Sequence, residues 1–229
     1  MEVLFFLKER TRFIRHFYET ACQPFRETMR KIEAGEEPFE PPYSEDGEPP
    51  FLTEWLEADT ALDVLGRSCV SMLSESLKLY FKTWEAQLWV ERPCEKCFKK
   101  SFSDGFLEGY RACFGEALKV NWDECPADFS ILEQVTLARN RDQHPDSISS
   151  LHATHDQHTR RKHPQPFFIR ESEKDLVIDP DNADSPWFFV TLHVSRETLF
   201  AAIDHVELLA DWLEERMFDA KYPGRSQAS

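Results

Sequence analysis

The strongest periodic signal in the sequence runs through residues 51–88, and it predicts a long amphipathic helix. One stripe at helical spacing is formed by Leu62, Leu65, Cys69, Met72, Leu73, Ser76 and Tyr80. Acidic side chains at Glu54 and Glu57 suit the N-terminus of such a helix, and Gly66 marks a point where it could break. Because a helix of this kind buries only one stripe, it needs other helices to pack against.

Patterns of the same kind predict further helices. Their predicted bounds are 2–34, 104–118, about 126–143 and about 195–220. Pro24 is expected to kink or split the first of them, Pro145 to stop the third, and Ser195 to cap the last. Only 7 of the 229 residues are glycine, which suits helices better than a turn-rich β architecture. The predicted fold class is therefore mainly α, an antiparallel helical bundle.

A different pattern precedes the last helix. Three short runs read as strands, at Phe167–Arg170, Asp175–Asp179 and Trp187–Val194. They predict a small β-hairpin or three-stranded appendage at about 166–194. In this division of the chain, residues 1–50 form an N-terminal helix and an acidic, proline-rich loop, and residues 51–229 form the bundle with the β insertion.

The chain is strongly acidic, with 42 acidic and 27 basic residues and a formal net charge of -15. Such a balance disfavours non-specific binding to nucleic acid or to an anionic membrane, although it permits a local basic site. The apolar run at Val3–Leu7 is broken at once by charged residues, so it does not read as a signal peptide. No apolar stretch approaches the length of a membrane span. We therefore expect a cytoplasmic protein without a membrane partner.

Six scattered cysteines do not read as a disulfide framework, and free buried thiols are expected. The alternative is that Cys94-x-x-Cys97 is a redox pair or half of a zinc site, which Cys113 and Cys125 could complete. The main prediction contains neither a metal site nor a cofactor.

The helix that ends near residue 143 carries the residues best suited to chemistry. Its apolar positions Phe129, Leu132, Val135 and Ala138 recur at helical spacing, and Arg139 continues that stripe. His144 follows where the helix must end. Histidine can exchange a proton near neutral pH, and arginine can stabilise phosphate, so the two suit metal-free cleavage of RNA by its own 2′-hydroxyl. The alternative is a cation pair that complements the helix dipole.

The stretch Arg139-Asn140-x-x-x-His144 resembles the motif of the HEPN superfamily of helical bundles. The resemblance implies a metal-independent endoribonuclease, in which the motifs of two protomers meet in one composite site of a homodimer. It assigns acid–base catalysis to His144, phosphate stabilisation to Arg139 and positioning to Asn140. Toxins and defence or stress effectors are the implied context, with an antitoxin or another protein as partner.

Two further groups of residues complete the predicted site. Ser74-Glu75-Ser76-Leu77-Lys78 resembles a Glu-x-x-Lys segment of several HEPN families, so Glu75 could hold Arg139 or orient His144; an ion-paired or solvated Glu75 is the alternative. Candidate RNA contacts are Arg141, Arg160, Arg161 and Lys162. The last three lie in a polar stretch, 145–165, that reads as a long loop and also holds His152, His155, His158 and His163.

Two other functions stay open at this point. A non-catalytic HEPN-like interaction or scaffold protein would explain the acidic charge and the segments added to the bundle. An accessory helical zinc protein would explain Cys94 and Cys97.

Overall fold

The computed structural model describes residues 2–41, 49–88, 94–143, 152–178 and 189–222. Within these ranges the chain is mainly helical, which confirms the coarse fold class. The helices are α1 (Val3–Ala34), α2 (Leu52–Gln87), α3 (Cys94–Cys97), α4 (Lys99–Ser103), α5 (Phe106–Leu118), α6 (Phe129–Gln143), α7 (Gln157–Lys162), α8 (Lys174–Ile178) and α9 (Arg196–Lys221). Two short 3₁₀ turns lie at Trp122–Glu124 and Glu171–Glu173. The antiparallel bundle stays a prediction.

Both long N-terminal helices are continuous. Pro24 lies inside α1 without splitting it. Helix α2 is not broken at Gly66 either. There the missing side chain lets another segment approach closely, because a Cβ on Gly66 would lie only 2.4 Å from the carbonyl oxygen of Val194. The glycine therefore serves packing rather than a bend.

Side chains that satisfy free backbone groups set two of the helix boundaries. The backbone N–H of Ser130 donates to Oδ1 of Asp128 at 2.7 Å, so α6 begins at Phe129, three residues after the predicted start at Pro126. Ser195 caps α9 as predicted, since its Oγ accepts the N–H of Thr198 at 3.2 Å.

The predicted β appendage is not supported by the described residues. Among the described residues there is no strand, and one isolated antiparallel bridge joins Thr154 to Thr191. The apolar run after Lys174 forms the short helix α8 instead. Alternation at Val190, Leu192 and Val194 correctly marked buried side chains. However, the extended stretch that holds them makes only scattered backbone hydrogen bonds, among them Leu192 N–H to Ala153 at 2.8 Å, too few for a ladder. The turn at 179–182 and Trp187 lie outside the described residues.

The chain divides into two compact units, each described by itself. Unit 1 comprises Met1–Arg12, Ser71–Leu137 and Phe200–Ser229, and unit 2 comprises Phe13–Val70 and Ala138–Leu199. This division differs from the predicted boundary at residue 50, which stays untested. The core of unit 1 is aromatic, with Phe81 stacked on Tyr110 at a ring-centroid distance of 5.0 Å. The core of unit 2 includes Ile14, Cys69, Phe168, Val190, Leu192 and Leu199.

A disulfide lies in unit 1. Cys94 and Cys113 are bonded, with their Cα atoms 5.7 Å apart, so the prediction of free thiols is wrong for this pair. It is confirmed for Cys22 and Cys69, which are buried and unbonded, whereas Cys97 is free but exposed. Disulfides are unusual in a reducing cytoplasm, and the cytoplasmic location stays a prediction. None of the helices in the described ranges combines the length and apolar character that crossing a bilayer requires.

Candidate active site at the end of helix α6

The last turn of α6 holds the residues that the sequence singled out. Arg139 is half-buried and Asn140 is exposed, both within unit 2. The two side chains touch, since Nη1 of Arg139 donates to Oδ1 of Asn140 at 3.2 Å. His144 lies outside the described residues, so the structure does not define its distance to Arg139. What it does define is the helix end that comes immediately before this histidine.

Two polar contacts hold that helix end. Nε of Arg141 donates to the carbonyl oxygen of Thr154 at 2.8 Å, and Nε of Arg67 on α2 lies 3.1 Å from Oδ1 of Asp142. Arg141, predicted to contact RNA, thus has an intramolecular partner. These contacts fix the helix end on two sides, and rigid support of this kind is what a catalytic group needs.

Arg67 is unusual because it is a nearly buried cation. Its side chain is 8% exposed, against 28% for Asp142. Within the part of the chain that the structure describes, Nη1 of Arg67 is buried and has no hydrogen-bond partner. A buried guanidinium is costly unless it is paired, so the Asp142 carboxylate is essential to its presence here.

The other predicted site residues lie on α2 and on α7. Glu75 is half-buried on α2, in the portion that belongs to unit 1. The basic residues of the 145–165 stretch lie on α7 rather than in a loop, and Asp156 caps this helix by accepting the N–H of Thr159. Arg161 and Lys162 are exposed and Arg160 is half-buried. Their predicted contact with RNA stays untested.

Histidines near α7 have structural roles. His155 is buried, and its Nε2 lies 2.8 Å from the carbonyl oxygen of Phe168. Burial lowers the pKa of His155, and the hydrogen bond to Phe168 only partly opposes this effect. His163 is also buried, whereas His152 and His158 are exposed. The two buried rings therefore belong to the packing of unit 2.

A cluster in unit 2 that the sequence reasoning missed is organised by Asp63. This residue lies on α2, and its side chain is only 1% exposed. Its Oδ1 lies 2.5 Å from Nδ1 of His193, and its Oδ2 accepts Nη2 of Arg170 at 2.6 Å. The same Nη2 also donates to Asp59, at 3.0 Å. The cluster therefore joins three distant segments of the chain through one buried carboxylate.

The chemistry of this cluster follows from the charge of Asp63. Burial raises the pKa of Asp63, but the hydrogen bonds from His193 and Arg170 outweigh it, and the pKa lies below its ordinary value. Asp63 is thus ionised at neutral pH and can only accept hydrogen bonds. It follows that Nδ1 of His193 carries the hydrogen, which leaves Nε2 as the basic nitrogen when the ring is neutral.

One signal in the sequence could have revealed this cluster. Asp59, Asp63 and Arg67 recur every four residues, so they share one face of α2. A charged row inside a strongly apolar helix indicates buried partners. His193 and Arg170 could not have been paired with this row, because tertiary packing alone brings their segments to α2.

The structure also bears on the predicted alternative of a zinc or redox site at Cys94 and Cys97. In the described ranges, no three side chains of His, Cys, Asp and Glu lie close enough to hold a metal ion together. Two of the four cysteines in the zinc alternative, Cys94 and Cys113, are bonded to each other.

Comparisons with known proteins add no assignment. No family model matches the chain, and neither a curated protein nor a solved structure is detectably similar to it.

Proposed function

We propose that this chain is a metal-independent endoribonuclease of the HEPN type. His144 acts as a general acid or base, Arg139 stabilises the phosphate, and Asn140 positions the site. RNA is the substrate, and two copies of the chain form the composite site. A toxin or a defence or stress effector, with an antitoxin or another protein as partner, is the context that this class implies.

One observation carries the proposal furthest. The end of α6 is tied to α2 through Arg67 and Asp142 and to the 152–156 segment through Arg141. An RNA site without a metal ion depends on positioning and on charge stabilisation, and both require groups that do not reorganise during the reaction. A helix end with this support, carrying the touching side chains of Arg139 and Asn140, meets that requirement. The mainly helical fold is consistent with the same class.

The test is cleavage of RNA by the purified full-length chain in excess EDTA. Wild type should cleave, whereas R139A and H144A should each lose about 10²-fold or more in rate. His16→Ala is the matched control, because His16 is exposed on α1 in the described structure. Cleavage that survives both substitutions, or that EDTA abolishes, would refute the assignment.

A second candidate function is a non-catalytic interaction or scaffold protein of the same class. The observation that favours it is the net charge of -15, which works against binding a polyanion. This alternative predicts a folded, dimeric protein that cleaves no RNA in a broad panel of substrates. Size measurement by light scattering, together with the cleavage assay, separates the two functions.

A further inference from the structure

We propose that Cys94, Cys97 and Cys113 form a thiol–disulfide exchange site in unit 1, and that its substrates are low-molecular-weight thiols. The thiolate of Cys97 attacks Sγ of Cys94, so that the disulfide moves from Cys94–Cys113 to Cys94–Cys97. The new bond includes an exposed cysteine, which an external thiol can then attack. This activity is separate from the proposed function, because no residue of the predicted RNA site takes part in it.

The first argument is the difference in exposure among the three cysteines. Cys94 on α3 and Cys113 on α5 are bonded to each other and are only 0% and 3% exposed. Cys97, the last residue of α3, is free and exposed. Because thiol–disulfide exchange requires direct access to a sulfur atom, burial protects the Cys94–Cys113 bond from an external thiol. Cys97 is therefore the cysteine of this group that a molecule in solution can reach.

The second argument is the spacing of Cys94 and Cys97 on one turn of helix. The backbone N–H of Phe98 donates to the carbonyl oxygen of Cys94 at 2.9 Å, so this segment is an α-helical turn. Cβ atoms three residues apart on a helix are about 5–6 Å apart. A disulfide needs about 3.5–4.5 Å, so a shift of about 1–2 Å brings Cys97 within bonding reach of Cys94. Cys94 thus has one partner on α5 and a second on its own helix.

The third argument is that Cys94 is held in place by contacts other than its disulfide. The carboxylate of Glu85 on α2 accepts the backbone N–H of Cys94 at 2.6 Å and the hydroxyl of Tyr110 on α5 at 2.7 Å. Phe102 on α4 also packs against α5, with its ring centroid 5.2 Å from that of Tyr110. None of these contacts involves a sulfur atom. Exchange therefore does not require α3 and α4 to leave α5.

The exchange step is balanced without an oxidant. The S–S bond between Cys97 and Cys94 forms as the bond between Cys94 and Cys113 breaks, and Cys113 leaves as a thiolate that takes a proton from solvent. An external thiol then attacks Sγ of Cys97 and releases Cys94 as a thiol. A second external thiol attacks the mixed disulfide and releases Cys97. The chain gains two electrons, and the two external thiols become one disulfide.

The experiment follows the Cys94–Cys113 bond in the full chain, with reduced glutathione as the probe thiol at mildly alkaline pH. Samples are quenched with acid, alkylated and digested with trypsin. The enzyme cuts after Lys96 and after Arg111, so the three cysteines fall in three different peptides. Mass spectrometry of the linked peptides therefore distinguishes a Cys94–Cys113 bond from a Cys94–Cys97 bond and gives the rate at which each appears or disappears.

The decisive variant is Cys97→Ser. We expect glutathione to reduce the Cys94–Cys113 bond at least about tenfold more slowly in C97S than in wild type, because a thiolate on the same helical turn replaces attack from solution on a buried bond. A loss of stability would instead expose the bond and accelerate its reduction, so it cannot imitate this result. C125S is the matched control, since Cys125 is the other free cysteine of unit 1, and it should react at the wild-type rate.

A second variant tests whether the two cysteines of α3 can bond. In C113S, Cys94 has lost its partner on α5, and oxidised glutathione should convert Cys94 and Cys97 into an intramolecular disulfide. Digestion should then give the peptides that end at Lys96 and Lys99 joined by a disulfide. Mixed disulfides with glutathione in place of this bond would overturn the proposed geometry.

The outcomes are independent of the ribonuclease assignment. Equal rates of reduction in wild type and C97S would refute the transfer through Cys97, and a wild-type protein without the Cys94–Cys113 linkage would remove its starting point. Either result leaves the RNA cleavage assay unaffected. Conversely, a chain that cleaves no RNA but shows the expected slow reduction in C97S would keep the exchange site and lose the proposed function.

Discussion

Gly66 gives the sharpest test of how α2 supports the candidate site, through the substitution Gly66→Ala. By helix propensity alone, alanine should stabilise an unbroken helix by about 1 kcal/mol. The structure predicts the opposite sign. The added Cβ would lie 2.4 Å from the carbonyl oxygen of Val194 and 3.0 Å from its Cβ, and backbone cannot turn aside as a flexible side chain can.

The expected change in the free energy of unfolding is the difference between the cost of the steric overlap and the gain in helix propensity. Overpacking of a rigid contact costs about 3 kcal/mol at the upper end, and the propensity gain of about 1 kcal/mol offsets part of it. We therefore expect G66A to lower the free energy of unfolding by about 2 kcal/mol. In a chain of this length that corresponds to a fall in Tm of about 4–8 °C.

Urea denaturation followed by circular dichroism measures this change. Ala61→Gly, on the same helix, is the matched control. It changes helix propensity in the opposite direction, so it should destabilise the protein by about 1 kcal/mol. A G66A variant as stable as wild type, or more stable, would refute the reasoning about close packing.

Three further predictions concern unit 2 and the disulfide. D142A should lower the free energy of unfolding by about 2–3 kcal/mol, which is below the usual range for a fully buried pair because Asp142 is 28% exposed. The double variant R67M/D142A should recover most of this loss, and an equal loss in both variants, measured by urea titration, would contradict the prediction. Because burial lowers the pKa of His155 in the folded state, the free energy of unfolding of wild type should fall as the pH drops below about 6.5, by up to about 1.4 kcal/mol per pH unit. In H155Q the contribution of His155 to the pH dependence of Tm should disappear. Reduction with a phosphine should destabilise wild type by about 2–4 kcal/mol but leave the stability of C94A/C113A unchanged. If reduction does not shift the urea midpoint of wild type, the Cys94–Cys113 bond is contradicted.

Helix positions could be predicted well because their causes are local. Periodic burial, the cap at Ser195 and the scarcity of glycine all act within a few residues of the helix they define. A break at Gly66 was predicted wrongly because the local effect of a glycine can be overridden by tertiary packing. At Gly66 the determining contact comes from Val194, far along the chain, and no local pattern reports it.

The β appendage failed for a related reason. Alternating apolar residues report which side chains are buried, but they do not say whether a neighbouring strand is present. Leu192 and Val194 are buried as a strand would require, yet the partner segments around Ala153 and Phe168 supply only scattered hydrogen bonds. The Asp63 cluster was missed for the same reason, and the predicted site on α6 stays a prediction. A motif on one helix is visible in the sequence, whereas a cluster assembled from three segments is not.

The charged row on α2 concerns how the segments of unit 2 are held in place. Asp63 and Arg67 are almost fully buried, and apolar residues of similar size would often be as stable or more stable in such positions. Stability alone therefore does not explain them. Each instead fixes a polar side chain from a distant segment, since Asp63 orients His193 and Arg67 holds the end of α6 through Asp142. Apolar side chains in the same positions would pack without specifying these partners. We therefore expect the row to define one arrangement of these segments around α2, and apolar replacements to leave stability similar while loosening that arrangement.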